Sequence, residues 1–321
     1  LLALQIHAVS VTIHLLNQEL SEDVLAILFC ITISVFAIAF GARHLSTRDK
    51  HDGLVVAIGL ESVIKLTAMI VLAIYCISNV FGGTDGLNIW LSENKNMLAA
   101  AEQQLGAGAS RALLVTFFAA TVAMPHVYHM LITENNDERA LAGARWGFPL
   151  YMFIFSLCIP PILWAATKMG AETPTEFYPI AIGLTTQNQA IAILAFVAGL
   201  AAASGVLIVT TLALSSMTLN HILLPLYRPK QGVDIYSVLL NTRRILIAAI
   251  ILASFGIYKL LGDDQSLMSL GIVAFVAVMQ FLPGLVGGFH WHQANKAGLL
   301  AGLATGFVVW FASLLLPLIY R

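Results

Sequence analysis

The sequence predicts an all-α integral membrane protein with nine transmembrane helices. Hydrophobic residues make up 59% of the 321 positions and charged residues only 10%, where a soluble domain carries about 25% charged residues. That is too little charge to cover a water-facing surface, and the mean hydropathy of +0.87 agrees. The apolar residues also fall into nine runs, each near the roughly 20 residues that a bilayer crossing needs. The 16 Lys+Arg balance 17 Asp+Glu, so no basic excess points to nucleic acid.

The runs cover approximately 1–18, 24–42, 54–80, 110–132, 147–167, 189–224, 243–261, 267–289 and 298–320. The first is the least apolar, carrying Gln5, His7, Ser10, Thr12 and His14. A helix so rich in polar groups is expected inside a bundle rather than against lipid. Cys30, Cys76 and Cys158 lie within apolar runs and read as small buried hydrophobes. The chain opens on Leu1 within an apolar run, without Met or a basic stretch, which is no signal-peptide pattern. A single transmembrane domain over 1–321 is expected, as a fragment lacking its N-terminal part.

Loop charge sets an orientation. The loops 43–53, 134–145, 226–244 and 289–297 hold ten Lys/Arg: Arg43, Arg48, Lys50, Arg139, Arg145, Arg228, Lys230, Arg243, Arg244 and Lys296. The opposite set holds five, Lys95, Arg111, Lys168, Lys259 and Arg321, and Lys65 remains within the membrane. The basic set is expected in the cytoplasm, with Arg321 outside. Residues 82–109 form the longest outside loop, in which Asn96 to Leu105 could form a short helix. The loop reads either as a lid-like connector or as a binding element. The 226–244 loop reads as solvated.

Few residues carry chemistry. Glu61 and Lys65 are four apart within 54–80 and share a helix face. Intramembrane ionisable groups are costly and usually functional; the alternative is a self-neutralising pair near the helix end. Met124-Pro125-His126-Val127-Tyr128-His129 interrupts its run, because Pro removes an N–H and disturbs the preceding turn. Such a break either exposes backbone to substrate near the midplane or merely kinks a helix with core histidines. Within 189–224, Ala201 and Ser204 share a face, and a freed Ala201 carbonyl with the Ser204 hydroxyl could bind Na⁺. Gly205 supplies no second hydroxyl there. Pro283-Gly284 with Gly287-Gly288 should break or bend the 267–289 segment. No phosphate loop, zinc spacing or nucleophile triad is present, so no catalytic residue and no enzymatic activity are expected of this chain.

Several of these motifs together resemble the sodium/solute symporter family. Ala201-Ala-Ala-Ser204-Gly205…Asn220 resembles that family's A-A-x-S-T…D pattern, and Pro125-His126 its Q-P-H break. Phe281-Leu-Pro283-Gly284…Gly287-Gly288…Trp291…Asn295…Gly298 resembles its P-x-x-x-G-G-x-x-W-x-x-x-N-x-x-G-A signature. A narrower resemblance runs through Gly41-Ala-Arg43-His44…His51-Asp-Gly53, Glu61-Ser62…Lys65, and His129…Glu134-Asn135…Asp137-Glu138…Arg145-Trp146…Pro149-Leu150-Tyr151. It is similar to the symporter-type N-terminal module of CbrA-type bacterial sensor histidine kinases.

The resemblance implies a partial LeuT-type inverted-repeat transporter fold beginning at the third core helix. It implies a module that senses or transports a small solute, such as an amino acid like histidine, in the bacterial inner membrane. It also implies PAS and kinase domains fused outside this chain, joined after Arg321 through an odd number of further helices. A free-standing sodium- or proton-coupled symporter is the alternative, and a structural anchor with a dead transport site a third reading. The expected solute-binding residues are Gln5, Ser10, Pro125, His126, Tyr128 and His129. The expected ion-binding residues are Ala201, Ser204 and Gly205, with Na⁺ or H⁺ as coupling ion and no other cofactor. Gly205 and Asn220 stand where the family has a hydroxyl and an Asp, which weakens the case for strict Na⁺ coupling.

Overall fold

The computed structural model describes residues 1–41, 52–96, 107–133, 135, 138–226, 234–261 and 266–319. The Arg43–His51 motif, the expected helix beyond Asn96, Glu134, Asp137, the Arg228–Lys230 loop and Arg321 lie outside the described residues. All regular structure among the described residues is helical, as expected where lipid can satisfy no backbone group.

The helices are α1 (Leu2–Leu16), α2 (Glu22–Phe36), α3 (Asp52–Tyr75), α4 (Thr84–Glu93), α5 (Ala107–Ala123), α6 (Pro125–Tyr128) and α7 (Glu138–Lys168). They continue with α8 (Tyr178–Thr185), α9 (Gln189–Thr218), α10 (Ile235–Leu261), α11 (Leu267–Met279), α12 (Leu282–His290) and α13 (Lys296–Trp310). Several of them end in wider π turns, such as Cys76–Val80 after α3 and Leu219–Leu223 after α9.

Seven helices among the described residues are long and apolar enough to cross a bilayer, and an eighth span arises if α5 and α6 count as one. This is a multi-pass membrane protein. The first apolar run is different. α1 has 15 residues, about 22 Å at the helical rise, short of the ~30 Å hydrocarbon layer. It is instead buried: Leu2, Ala3, Ile6, His7, Val9 and Ser10 all face protein. α1 packs on α2, α9, α10 and α11, the placement its polar residues demand.

The centre of the bundle is α9. It touches α1, α2, α3, α6, α8 and α10, and it is the most deeply buried of the spans. Its small residues explain this role. Ala195, Ala198, Ala203 and Gly205 are buried and let neighbouring backbones approach, which matters where solvent gives no hydrophobic drive for helix association. Ile6, Phe29, Leu207, Leu212, Ile247 and Ile251 fill the α1–α2–α9–α10 side. Leu72, Cys76, Cys158, Ile162 and Ile182 fill the α3–α7–α8 side.

Both proline breaks occur, and each precedes its proline. α5 ends at Ala123, Met124 is extended, and Pro125 starts α6; the two segments meet at 41°. In the 267–289 run the expected break lies earlier than Pro283–Gly288, at Gln280–Phe281, with Pro283 in the first turn of α12. The reason is common to both: a proline has no N–H to give, and the first turn of a helix needs none. Across that break, the Trp310 indole N–H donates to the Val273 carbonyl at 2.9 Å, seating α13 on α11.

Within the 82–109 stretch a helix forms at α4. Gly82 and Gly83 introduce it with φ of +75° and +109°, conformations that other residues rarely adopt. Trp90 of α4 meets Phe81 edge-on at 5.6 Å.

The polar contacts between loops gather at one end. Lys259 pairs with Asp23 at 2.5 Å, the Lys168 ammonium donates to the Val80 carbonyl at 2.9 Å, and the Ser266 hydroxyl donates to Glu176 at 3.1 Å. These belong to the loops assigned together from charge. Arg139 and Arg243 lie toward the other ends of α7 and α10.

Candidate functional site

The site is built where α3 crosses α9. α9 is continuous from Gln189 to Thr218 because nothing in it breaks the ladder, and Asn188 caps its start by accepting from the Ile191 N–H at 3.3 Å. The carbonyl of Ala201 therefore sits inside an unbroken helix and is not freed for an ion. The hydroxyl of Ser204 lies 3.4 Å from it but is nearer to another acceptor. It donates to Glu61 Oε1 at 3.1 Å.

Thus Glu61 is turned toward α9. Glu61 and Lys65 are near enough to interact electrostatically without closing to within 4.0 Å as an ion pair. The second carboxylate oxygen, Oε2, is buried and has no hydrogen-bond partner among the described residues. It rests against Gly205, where an added Cβ would collide with Oε2 and come within 3.6 Å of the carboxyl carbon. The position without a side chain on α9 is filled from across the helix pair by a carboxylate.

Beside this contact lies a cavity of about 160 Å³ between α1, α3, α7, α8 and α9. Its walls are largely apolar, from Ala68, Met69, Leu72, Phe155, Phe177, Ile180, Ala195, Ala198 and Ala202, with Thr12 from α1. Two charged residues reach it, Lys65 and Glu176. The Lys65 ammonium has no hydrogen bond or ion pair among the described residues. Glu176 is fully engaged: it accepts from the Thr175 and Ser266 hydroxyls and from the Leu267 N–H at 3.0–3.1 Å, at the start of α11. Partial burial alone would raise its pKa, but these donors together with its own backbone N–H hold it below the ordinary value.

The expected solute residues do not converge on this cavity. Gln5 is half-buried on α1, and Ser10 donates within that helix to the His7 carbonyl at 3.0 Å. Pro125 opens α6, His129 is buried, and Tyr128 is 44% exposed, on the outer surface. His126 does contact α9, its Nδ1 lying 3.3 Å from the Thr210 hydroxyl. Thr210 is six residues beyond Ser204, about 9 Å along the axis and on a different face. The structure therefore separates a Glu61–Ser204–Gly205 cluster from a His126–Thr210 contact.

Sequence reasoning missed Glu176, Thr12 and the small-residue face Ala195–Ala198–Ala202. The signal for the last was present, as alanines at helical spacing on the organising helix. Glu176 gave none, being one acidic residue in a short connector. No three His, Cys, Asp or Glu among the described residues come together to hold a metal ion.

Compared with known proteins, the chain matches no family model, no curated protein and no solved structure.

Proposed function

We propose that this chain is a symporter-like transmembrane module that binds a small solute, as the input part of a membrane sensor histidine kinase. The single observation that carries the reading is the cavity beside α9, with an unpaired Lys65 ammonium on its wall and the Glu61–Ser204 contact next to it. A cavity of that size suits a small solute or the carboxylate end of a larger one. Apolar walls with one convergent charge are the ordinary composition of a small-molecule site, and Lys65 would meet an anionic group such as a carboxylate. An amino acid, histidine first, fits that chemistry and the sequence resemblance.

In this reading the bundle is part of a LeuT-type fold in the bacterial inner membrane. α1 is the first of nine crossings, shielded by its neighbours rather than by lipid, and the Arg139–Arg243 end faces the cytoplasm. PAS and kinase domains would be fused beyond the chain. The α3 carboxylate that faces α9 equally favours a second reading, a free-standing proton- or sodium-coupled symporter. The two differ in whether the coding sequence continues into PAS and kinase regions.

The test is binding of radiolabelled histidine, and of the other amino acids in turn, to the full-length protein in lipid. Ala198→Leu, which fills the cavity, should abolish binding while leaving the fold intact. Binding that survives Ala198→Leu and Lys65→Met, or no binding across the whole amino-acid panel, would overturn the proposal.

A further inference from the structure

One group in this bundle is placed in a way that packing does not explain. Glu61 occupies a membrane-spanning helix, yet its carboxylate does not close on Lys65. One oxygen is held by the Ser204 hydroxyl at 3.1 Å. The other is buried against the bare backbone of Gly205 with no hydrogen-bond partner among the described residues. A buried, unpartnered carboxylate oxygen is expensive in low dielectric, and the least costly remedy is to bind a cation.

We propose that Glu61 is a reversible proton-binding site, Oε2 taking up and releasing a proton where it rests on Gly205. The proposal deepens the solute-module reading by naming its coupling ion, and it depends on that reading only for the use made of the proton.

A proton is preferred to Na⁺ because of space. Oε2 lies so close to Gly205 that even a methyl group would collide. A metal ion with its own shell of oxygen ligands has no room on that side, and the Ala201 carbonyl remains within the helix ladder. A proton needs no shell. The surroundings also leave the titration to few groups. On α3 itself the charged neighbour is Lys65. α9, which faces Glu61, carries no charged residue. From α7, Tyr151 reaches α3 but donates to the Ser62 carbonyl at 3.2 Å, and Cys158 donates within its own helix at 3.3 Å. His126 is engaged with Thr210 elsewhere on α9.

The arrangement couples the proton to the cavity. With Glu61 ionised, the Lys65 charge is partly balanced along the helix. With Glu61 protonated, Lys65 is the unbalanced cation on the cavity wall and attracts an anionic group more strongly. By linkage the anion then favours protonation by the same factor, roughly 5–150-fold for couplings of this kind.

The experiment is pH-difference infrared spectroscopy of the full-length protein in lipid, without solute. A protonated-carboxyl stretching band should grow as pH falls and vanish in Glu61→Gln. Ser204→Ala should keep the band but move its midpoint to higher pH, because a donor to the ionised form is gone. Glu61→Asp serves if Glu61→Gln does not fold; it retains a carboxyl, withdrawn by one methylene, and must shift the band's frequency. Identical spectra for the parent protein and the Glu61 variants would overturn the proposal. A band titrated away by Na⁺ at constant pH would overturn it too, in favour of a metal-cation site. Because no solute enters the measurement, failure of solute binding leaves the result unaffected, and the two claims fail separately.

Discussion

The substitution Gly205→Ala isolates the contact on which the site depends. The new Cβ would overlap Glu61 Oε2, while no backbone atom stands in its way. Glu61 is a flexible side chain, so the carboxylate would swing aside rather than force α3 away from α9. In doing so it would abandon the Ser204 hydroxyl, now 3.1 Å from Oε1. A hydrogen bond to a charged group contributes roughly 1.5–3 kcal/mol, and overpacking of a tight contact costs about 1–3 kcal/mol. Since relief of the second is what causes the first, the two do not add, and a loss of about 2 kcal/mol is expected. Ser204→Ala removes the same hydrogen bond. The pair Gly205→Ala/Ser204→Ala should therefore cost hardly more than either change alone, giving a coupling on the order of 1–2 kcal/mol. Equilibrium unfolding by SDS in mixed micelles measures this, read out by the labelling of Cys30, Cys76 and Cys158, which are buried free thiols. Strictly additive losses would refute the argument, because they would mean that Ser204 and Gly205 do not act through one carboxylate.

Three other substitutions test separate parts of the structure. Gly183→Ala should be harsher than Gly205→Ala, because its Cβ would lie 2.6 Å from the Ala192 Cα, an atom of the α8–α9 hairpin that cannot swing away; a loss of at least about 3 kcal/mol, or failure to express, is expected, and a near-neutral variant would show that the hairpin is looser than described. Glu176 has its pKa held below the ordinary 4.5, so its contribution is complete above that value and disappears as pH falls through the lower folded one; the stability gap between parent and Glu176→Gln should close in acid, and a gap that widens there would be inconsistent with this. Lys65→Met leaves Glu61 without its cation and should destabilise more than Glu61→Gln/Lys65→Met, by on the order of 1 kcal/mol rather than the roughly 3–5 kcal/mol of a fully buried pair, since both side chains are only partly buried; equal losses in the micelle assay would remove the electrostatic link between them.

The sequence determined by itself whatever the lipid dictates locally. A hydrocarbon layer requires long apolar helices with satisfied backbones, so the spans 24–42, 54–80, 147–167, 189–224, 243–261, 267–289 and 298–320 were legible as seven helices. Proline acts on its own turn, so the breaks before Pro125 and Pro283 were legible too, although the second was placed a few residues late. α1 was readable as a buried helix from its polar residues. The tertiary structure decided which faces meet. Glu61 and Ser204 are separated by 143 positions, and their helix-face spacing pairs Glu61 with Lys65 more naturally than with anything on α9. The absence of a side chain at Gly205 read as a missing ligand. In the folded bundle that same absence makes the room into which a distant carboxylate fits. Composition and periodicity report each helix's relation to lipid, but which partner fills a given notch depends on how the helices cross.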